Sequence, residues 1–205
     1  MGKYSIIYKG DNMNYPSGIK RGFNKTIKYE NRGMIFEDEL NRTNEYYLEK
    51  NIACIYKKPT PIKIVKVDYK ESRINEAYFK TPSTTDYNGI YKGKYIDYEA
   101  KETKSNSFPL SNIHKHQIDH LNRIKSMGGI GFVIVLFVEI NEIYLLEIDK
   151  LNNFINTNKR KSIPLEYFKE NGYKIEYKIN PCIDYLNIID KLYFKEDLWK
   201  NIYVN

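Results

Sequence analysis

Apolar positions first recur at helical spacing just after Gly33: Phe36, Leu40, Thr43 and Tyr47 share one face, with Glu37, Asp38 and Glu39 beside them. A helix is predicted there. The run "IACIY" (52–56) predicts a short buried strand. In "KKPTPIKIVKVDYK" two prolines precede a strand with both faces partly apolar. A charged turn over Lys70–Arg73 and the returning "NEAYFKT" complete the outline of a projecting hairpin. Small polar residues ending in Asp86 and two glycine-punctuated turns come next. Then the pattern alternates strictly: Tyr95, Asp97, Glu99 and Lys101 occupy odd positions, and Ile96, Tyr98 and Ala100 even ones. Period 2 is the strand signature, so two acids and a lysine project from one face while Ala100 packs inward.

Downstream, "SFPLSN" is loop, and Ser111 or Asn112 is placed to cap a helix running to about Met127, ended by Gly128-Gly129. The continuously apolar "IGFVIVLFV" predicts a central strand covered on both faces, with "IYLLEI" paired to it. Helices are expected at 149–156, 164–171 and 184–194, and a strand at 173–179. The class is α/β, a mixed sheet flanked by helices with a projecting β stalk. The expected organisation is a single domain over 32–205, with the stalk inserted at about 57–80. Residues 1–31 lack sustained periodicity and contain "NYPSGIKRG", so a flexible basic arm is expected there.

The 205 residues suffice for one domain with its own core. Two cysteines without CxxC spacing support neither a disulfide framework nor a zinc site. The longest apolar run is too short to span a bilayer and Met1–Tyr15 holds no secretory apolar region, so a cytoplasmic protein with no membrane partner is expected. The net charge of +7 is unevenly placed. Residues 1–32 carry seven Lys/Arg against two acids, and residues 56–80 carry seven against three. Such clusters suit a polyanion held by phosphate contacts, although solubilising charge alone produces them too.

The acids and lysine suggest a chemistry. Phosphodiester hydrolysis needs an activated water and stabilisation of charge at phosphorus. Mg²⁺ supplies both and prefers carboxylate oxygens, carbonyls and water. Asp86 from a turn, with Glu99 and Lys101 from neighbouring same-face positions on a strand, makes such a set. On the helix after "SFPL", Gln117 shares a face with Ile113, Leu121 and Ile124. Its amide should therefore point toward the sheet and need a partner, such as a metal-bound water or a phosphate.

The D-(x)n-(D/E)-x-K arrangement resembles the PD-(D/E)xK nuclease superfamily. The wider run of "RGMIFEDEL", "IYKKPTPIKIVKVDY", "EAYFKTPSTTDYNGIYKGKYIDYEAKET", "SFPL", "HKHQIDHL" and "GGIGFVIV" resembles the RecU-type Holliday junction resolvases of Gram-positive bacteria, from about Arg32 to Phe194. The resemblance implies a restriction-endonuclease-like core and a Mg²⁺-dependent endonuclease, with Mn²⁺ as substitute, that resolves four-way DNA junctions in recombination and repair. It places catalytic roles on Asp86, Glu99 and Lys101 and metal-binding roles on Thr84, Asp86, Glu99 and Gln117, with Thr85 and Glu37 near the metal. It also implies a homodimer whose stalk enters the junction, and recombinase or branch-migration proteins as partners. Arg32, Lys66, Lys70 and Arg73 are the expected DNA contacts. The hairpin tip "DYKESRINEAYF" is a few residues shorter than the family pattern.

Other features have blander explanations. Asp97 shares the face of Glu99 but stands near the strand start, where a supporting or solvated role is expected. His114, His116 and His120 have no acid or cysteine to complete a zinc set, so a helix cap or phosphate contact is expected of them. Most of the twenty tyrosines are expected to fill core and surface. Two competing readings are a non-catalytic junction-binding protein and a general duplex endonuclease of the same fold. The first predicts decay of the Asp86, Glu99 and Lys101 set, and the second needs long base-reading loops. Neither feature is seen.

Overall fold

The computed structural model describes residues 32–79 and 84–194; the expected basic arm lies outside them. Helix α1 (Arg32–Glu49) buries Phe36, Leu40, Thr43 and Tyr47, the face that the spacing predicts. Strand β1 (Cys54–Lys57) follows at the edge of the sheet; in place of the buried strand expected at 52–56, it has only Ile55 buried and Tyr56 exposed, because one of its faces meets solvent. The hairpin is formed by β2 (Ile62–Asp68) and β3 (Arg73–Phe79), which among the described residues pair only with each other. Strands β4 (Tyr87–Tyr91) and β5 (Lys94–Thr103) make the site hairpin.

After β5 come β6 (Ser107–Pro109), a single 3-10 turn (Leu110–Asn112) and α2 (Lys115–Ser126). Then follow β7 (Ile130–Phe137), β8 (Glu142–Glu147), α3 (Ile148–Thr157), β9 (Ser162–Pro164), α4 (Leu165–Asn171), β10 (Tyr173–Ile175) and α5 (Leu186–Tyr193). The main sheet has the order β1-β4-β5-β7-β8-β10. Within it β5 and β7 run parallel, as a crossover through α2 requires, and the other pairs are antiparallel, so the sheet is mixed.

All eight residues of β7 are buried. Phe132, Ile134 and Leu136 join α1 and α5 in one core, while Val133, Val135 and Phe137 join the helices of the opposite face in a second. A strand covered on both faces has no polar side to alternate with. Tyrosines fix α1 to its face: Asn44 donates to Tyr98 Oη (3.1 Å), Tyr185 donates to Asn44 (2.5 Å), and Tyr47 donates to Asp184 (2.9 Å). Their role is thus more specific than filling space.

The structure corrects three further local expectations. Asn88-Gly89 is not a turn but the middle of β4; a Cβ on Gly89 would lie 2.0 Å from the Cys54 carbonyl oxygen, so β1 approaches too closely for any side chain. Only Lys92-Gly93, both at positive φ, turns the chain between β4 and β5, and it makes an ordinary two-residue hairpin. Neither Ser111 nor Asn112 caps α2: both are taken up by the 3-10 turn, and His114 occupies the cap. The strand expected at 173–179 stops at Ile175, leaving a lone bridge between Tyr177 and Ile183.

Candidate active site

Alternation along β5 sends Asp97, Glu99 and Lys101 toward α2, and Tyr98 and Ala100 toward α1. Asp86 stands on the residue before β4. Its carboxylate folds back onto β5, where the Ala100 amide donates to Oδ2 at 3.2 Å. Lys101 Nζ pairs with Glu99 Oε1 and lies 4.0 Å from Asp86 Oδ2. The turn and the strand thus bring Asp86, Glu99 and Lys101 together. Asp86 and Lys101 keep 34% and 27% of their side chains exposed, whereas that of Glu99 is fully buried.

Gln117 enters from the opposite side. It is buried, and its Nε2 donates to Glu99 Oε1 at 2.6 Å while its Oε1 accepts the His114 amide at 2.9 Å. The Glu99 carboxylate is thus one direct partner of the Gln117 amide. A single side chain both caps α2 and orients Glu99.

Burial raises the Glu99 carboxyl to about 7, with Asp86 adding repulsion and Lys101 opposing the shift. Glu99 Oε2 is buried without a hydrogen-bond partner. A buried carboxylate with an orphaned oxygen beside a second carboxylate is unfavourable by itself. These residues fit a hard divalent cation, which would occupy the oxygen and neutralise the pair. Among the described residues no three His, Cys, Asp or Glu side chains form a complete cage. Mg²⁺ needs no such cage, because it commonly keeps several waters.

The raised carboxyl makes metal-free stability depend on pH. The folded state keeps a proton that the unfolded chain sheds, so this contribution is full below about 4.5 and is lost as pH rises through about 7. In EDTA, the melting temperature of the wild type should fall between pH 5 and pH 8 relative to Glu99→Gln. Parallel curves for the two proteins would place the strain elsewhere.

The remaining candidates are less centrally placed. A cleft of about 370 Å³ is lined by Glu37, Asp86, Lys101, Glu102 and Asn112, among others, so Glu37 does approach the site, from α1; it pairs with Lys57. Thr84 and Thr85 lie on the same turn as Asp86, but their hydroxyls bond Lys58. Asp97 is fully buried and bonded to Lys58 and His120, so it is not solvated. Glu102 lies beyond what alternation can find, since period 2 assigns it to the face away from Glu99. It nonetheless lines the cleft, with an unpartnered Oε2. Lys66, Lys70 and Arg73 sit exposed on the hairpin, Arg73 paired with Glu71, while the side chain of Arg32 lies outside the described ones.

The family model RecU, described as Recombination protein U, matches residues 31–191. This chain belongs to the RecU family. Relatives at high identity match over most of their own length. The Holliday junction resolvase RecU of Pediococcus pentosaceus is 50% identical over 194 residues, covering 87% of this chain and 96% of that one. That of Bacillus cereus strain B4264 is 53% identical over 177 residues, covering 83% and 88%. Among solved structures, Archaeoglobus fulgidus Hjc, a Holliday junction resolvase, aligns with a TM-score of 0.43 and 14% identity, covering 69% of this chain and 95% of that chain. A likeness that distant carries no weight beside the RecU matches.

Proposed function

We propose that this RecU-family chain is a Mg²⁺-dependent, structure-selective endonuclease. It resolves four-way DNA junctions by paired nicks in recombination and repair, with Mn²⁺ as an alternative metal. The observation that carries the reading is the orphaned, buried oxygen of Glu99 set against Asp86 and Lys101. Asp86 and Glu99 hold the cation, Gln117 orients Glu99, and Thr84, Thr85 and Glu37 border the site. When bound, the cation supplies an activated water and offsets charge at phosphorus. The Lys101 ammonium lies within reach of both carboxylates and adds a positive charge where the attacked phosphate sits.

The protein acts as a homodimer, because symmetric nicks on two strands call for two sites related by a two-fold axis. The hairpin supports this. Ile62, Ile64, Val65 and Ile74 are all exposed on it, and a lone two-stranded hairpin with such a surface is marginal in water. The β2–β3 hairpin, within the insertion expected at about 57–80, forms the stalk that enters the junction, while Lys57 stays in β1 of the main sheet. Arg32 and the basic arm grip the flanking duplex, and recombinase or branch-migration proteins share the substrate. The two cysteines are free, as suits a reducing cytoplasm, where this substrate is found.

Single-turnover cleavage of a labelled four-way junction tests the reading. The wild type should nick two opposed strands. Lys101→Ala should lose rate by at least about 100-fold while still binding the junction. Wild-type protein that leaves all four strands intact would overturn the reading. A Lys101→Ala rate near wild type would remove this lysine from the chemistry.

A further inference from the structure

Asp97 is the second fully buried carboxylate on the site face of β5, and the metal chemistry at Asp86 and Glu99 does not use it. Its Oδ2 accepts from Lys58 Nζ at 2.7 Å, sits 3.0 Å from His120 Nε2, and receives a longer bond from Tyr95 Oη at 3.4 Å. Its Oδ1 accepts from the Thr85 hydroxyl. Lys58 keeps only 15% of its side chain exposed; it also donates to Thr85 Oγ1 at 2.5 Å and Thr84 Oγ1 at 3.2 Å, and lies 3.5 Å from His120. Its backbone amide donates to the Asp86 carbonyl at 2.7 Å.

Two features set this cluster apart from an ordinary buried ion pair. The first is its place along the chain. Lys58 directly follows β1 on the way out to the hairpin, while Thr84 and Thr85 stand on the way back, immediately before Asp86. Asp97 therefore joins the two roots of the stalk. The second is its register with the active site. Asp97 and Glu99 are neighbours on one strand face, and His120 and Gln117 are one helical turn apart on α2, so the same helix face addresses both carboxylates. A shift at the roots cannot occur without moving the main chain that carries Asp86.

We propose that Lys58, Asp97 and His120 form a positioning cluster that clamps both roots of the stalk hairpin and thereby sets where the Asp86 carboxylate faces Glu99. None of the three touches the substrate in this scheme. They act through the Thr84–Asp86 turn, and the inference rests on Asp86 and Glu99 being the catalytic metal site. Asp97→Asn removes the charge that holds Lys58 while keeping shape. Lys58→Ala removes the tie, and Lys58→Arg keeps a cation with several donors.

The test measures junction Kd, single-turnover rate at saturating enzyme, and the Mg²⁺ concentration for half-maximal rate. Groups that orient metal ligands change affinity or activity by about 10- to 100-fold. Asp97→Asn and Lys58→Ala should therefore lower the rate by at least about 10-fold and raise the Mg²⁺ requirement, with junction Kd within about twofold of wild type. Lys58→Arg should recover part of both. A merely structural cluster would lower the melting temperature and leave the Mg²⁺ midpoint of the folded fraction unmoved, which would overturn the proposal. Wild-type protein without junction cleavage would instead defeat the functional reading beneath it.

Discussion

Asp86→Asn and Glu99→Gln should each lose junction cleavage by at least about 100-fold and still bind the junction as tightly as the wild type, or more tightly. Both substitutions preserve shape and remove a charge that a cation needs. Neither changes a residue of the hairpin or any of the clustered Lys and Arg residues expected to meet phosphate. Removing one of two neighbouring carboxylates also lessens the repulsion of an incoming phosphate, which favours binding. The two variants differ in one respect. Glu99 is fully buried with an unpartnered oxygen, whereas Asp86 is partly exposed and tied to the Ala100 amide. Glu99→Gln should therefore also relieve strain in the metal-free protein, and Asp86→Asn should do so less. Retained cleavage in either variant would sink the assignment.

Replacing Lys66, Lys70 and Arg73 together with alanine should weaken four-way junction binding far more than duplex binding. Among the described residues the hairpin strands pair only with each other, and their described side chains are exposed or half-buried, so the hairpin stands away from both cores. Interactions made by such a projection at a junction centre have no counterpart on a linear duplex. Each phosphate interaction removed should lower the salt slope of junction binding by about one unit. Arg73 already pairs with Glu71 at the tip, so Lys66 and Lys70 should account for most of the change. The substituted residues belong to the β2-β3 hairpin and its turn, not to the sheet that carries Glu99, so Mg²⁺ binding should survive. Equal weakening on both substrates, measured as Kd at several salt concentrations, would mean that these residues do not carry junction selectivity.

The parts of the fold legible in the sequence are those governed by local period. The α1 face, the double burial of β7, the exposed hairpin and the one-sided placement of Glu99 and Lys101 all follow from spacing alone. What spacing misses depends on neighbours distant in sequence. Gly89 carries a turn signal, but its role is set by β1 crossing against it, which Asn88-Gly89 cannot announce. The α2 cap is a local matter: it falls to His114, for which a cap is one of the expected roles, rather than to Ser111 or Asn112, because the Gln117 side chain returns to its amide. Asp97 looks like a strand-end acid until Lys58, 39 positions earlier, is seen beside it. Alternation turns Glu102 away from Glu99, yet the cleft reaches round to that face.

Selective, metal-dependent cutting of a branched substrate is tested most directly by cleavage of a labelled four-way junction beside a linear duplex of the same arm sequence, with Mg²⁺ and with EDTA. Paired nicks on opposed strands of the junction are expected in Mg²⁺, with the duplex intact, and no cutting of either in EDTA. Junction cutting that persists in EDTA, or a duplex cut as fast as the junction, would contradict this assignment.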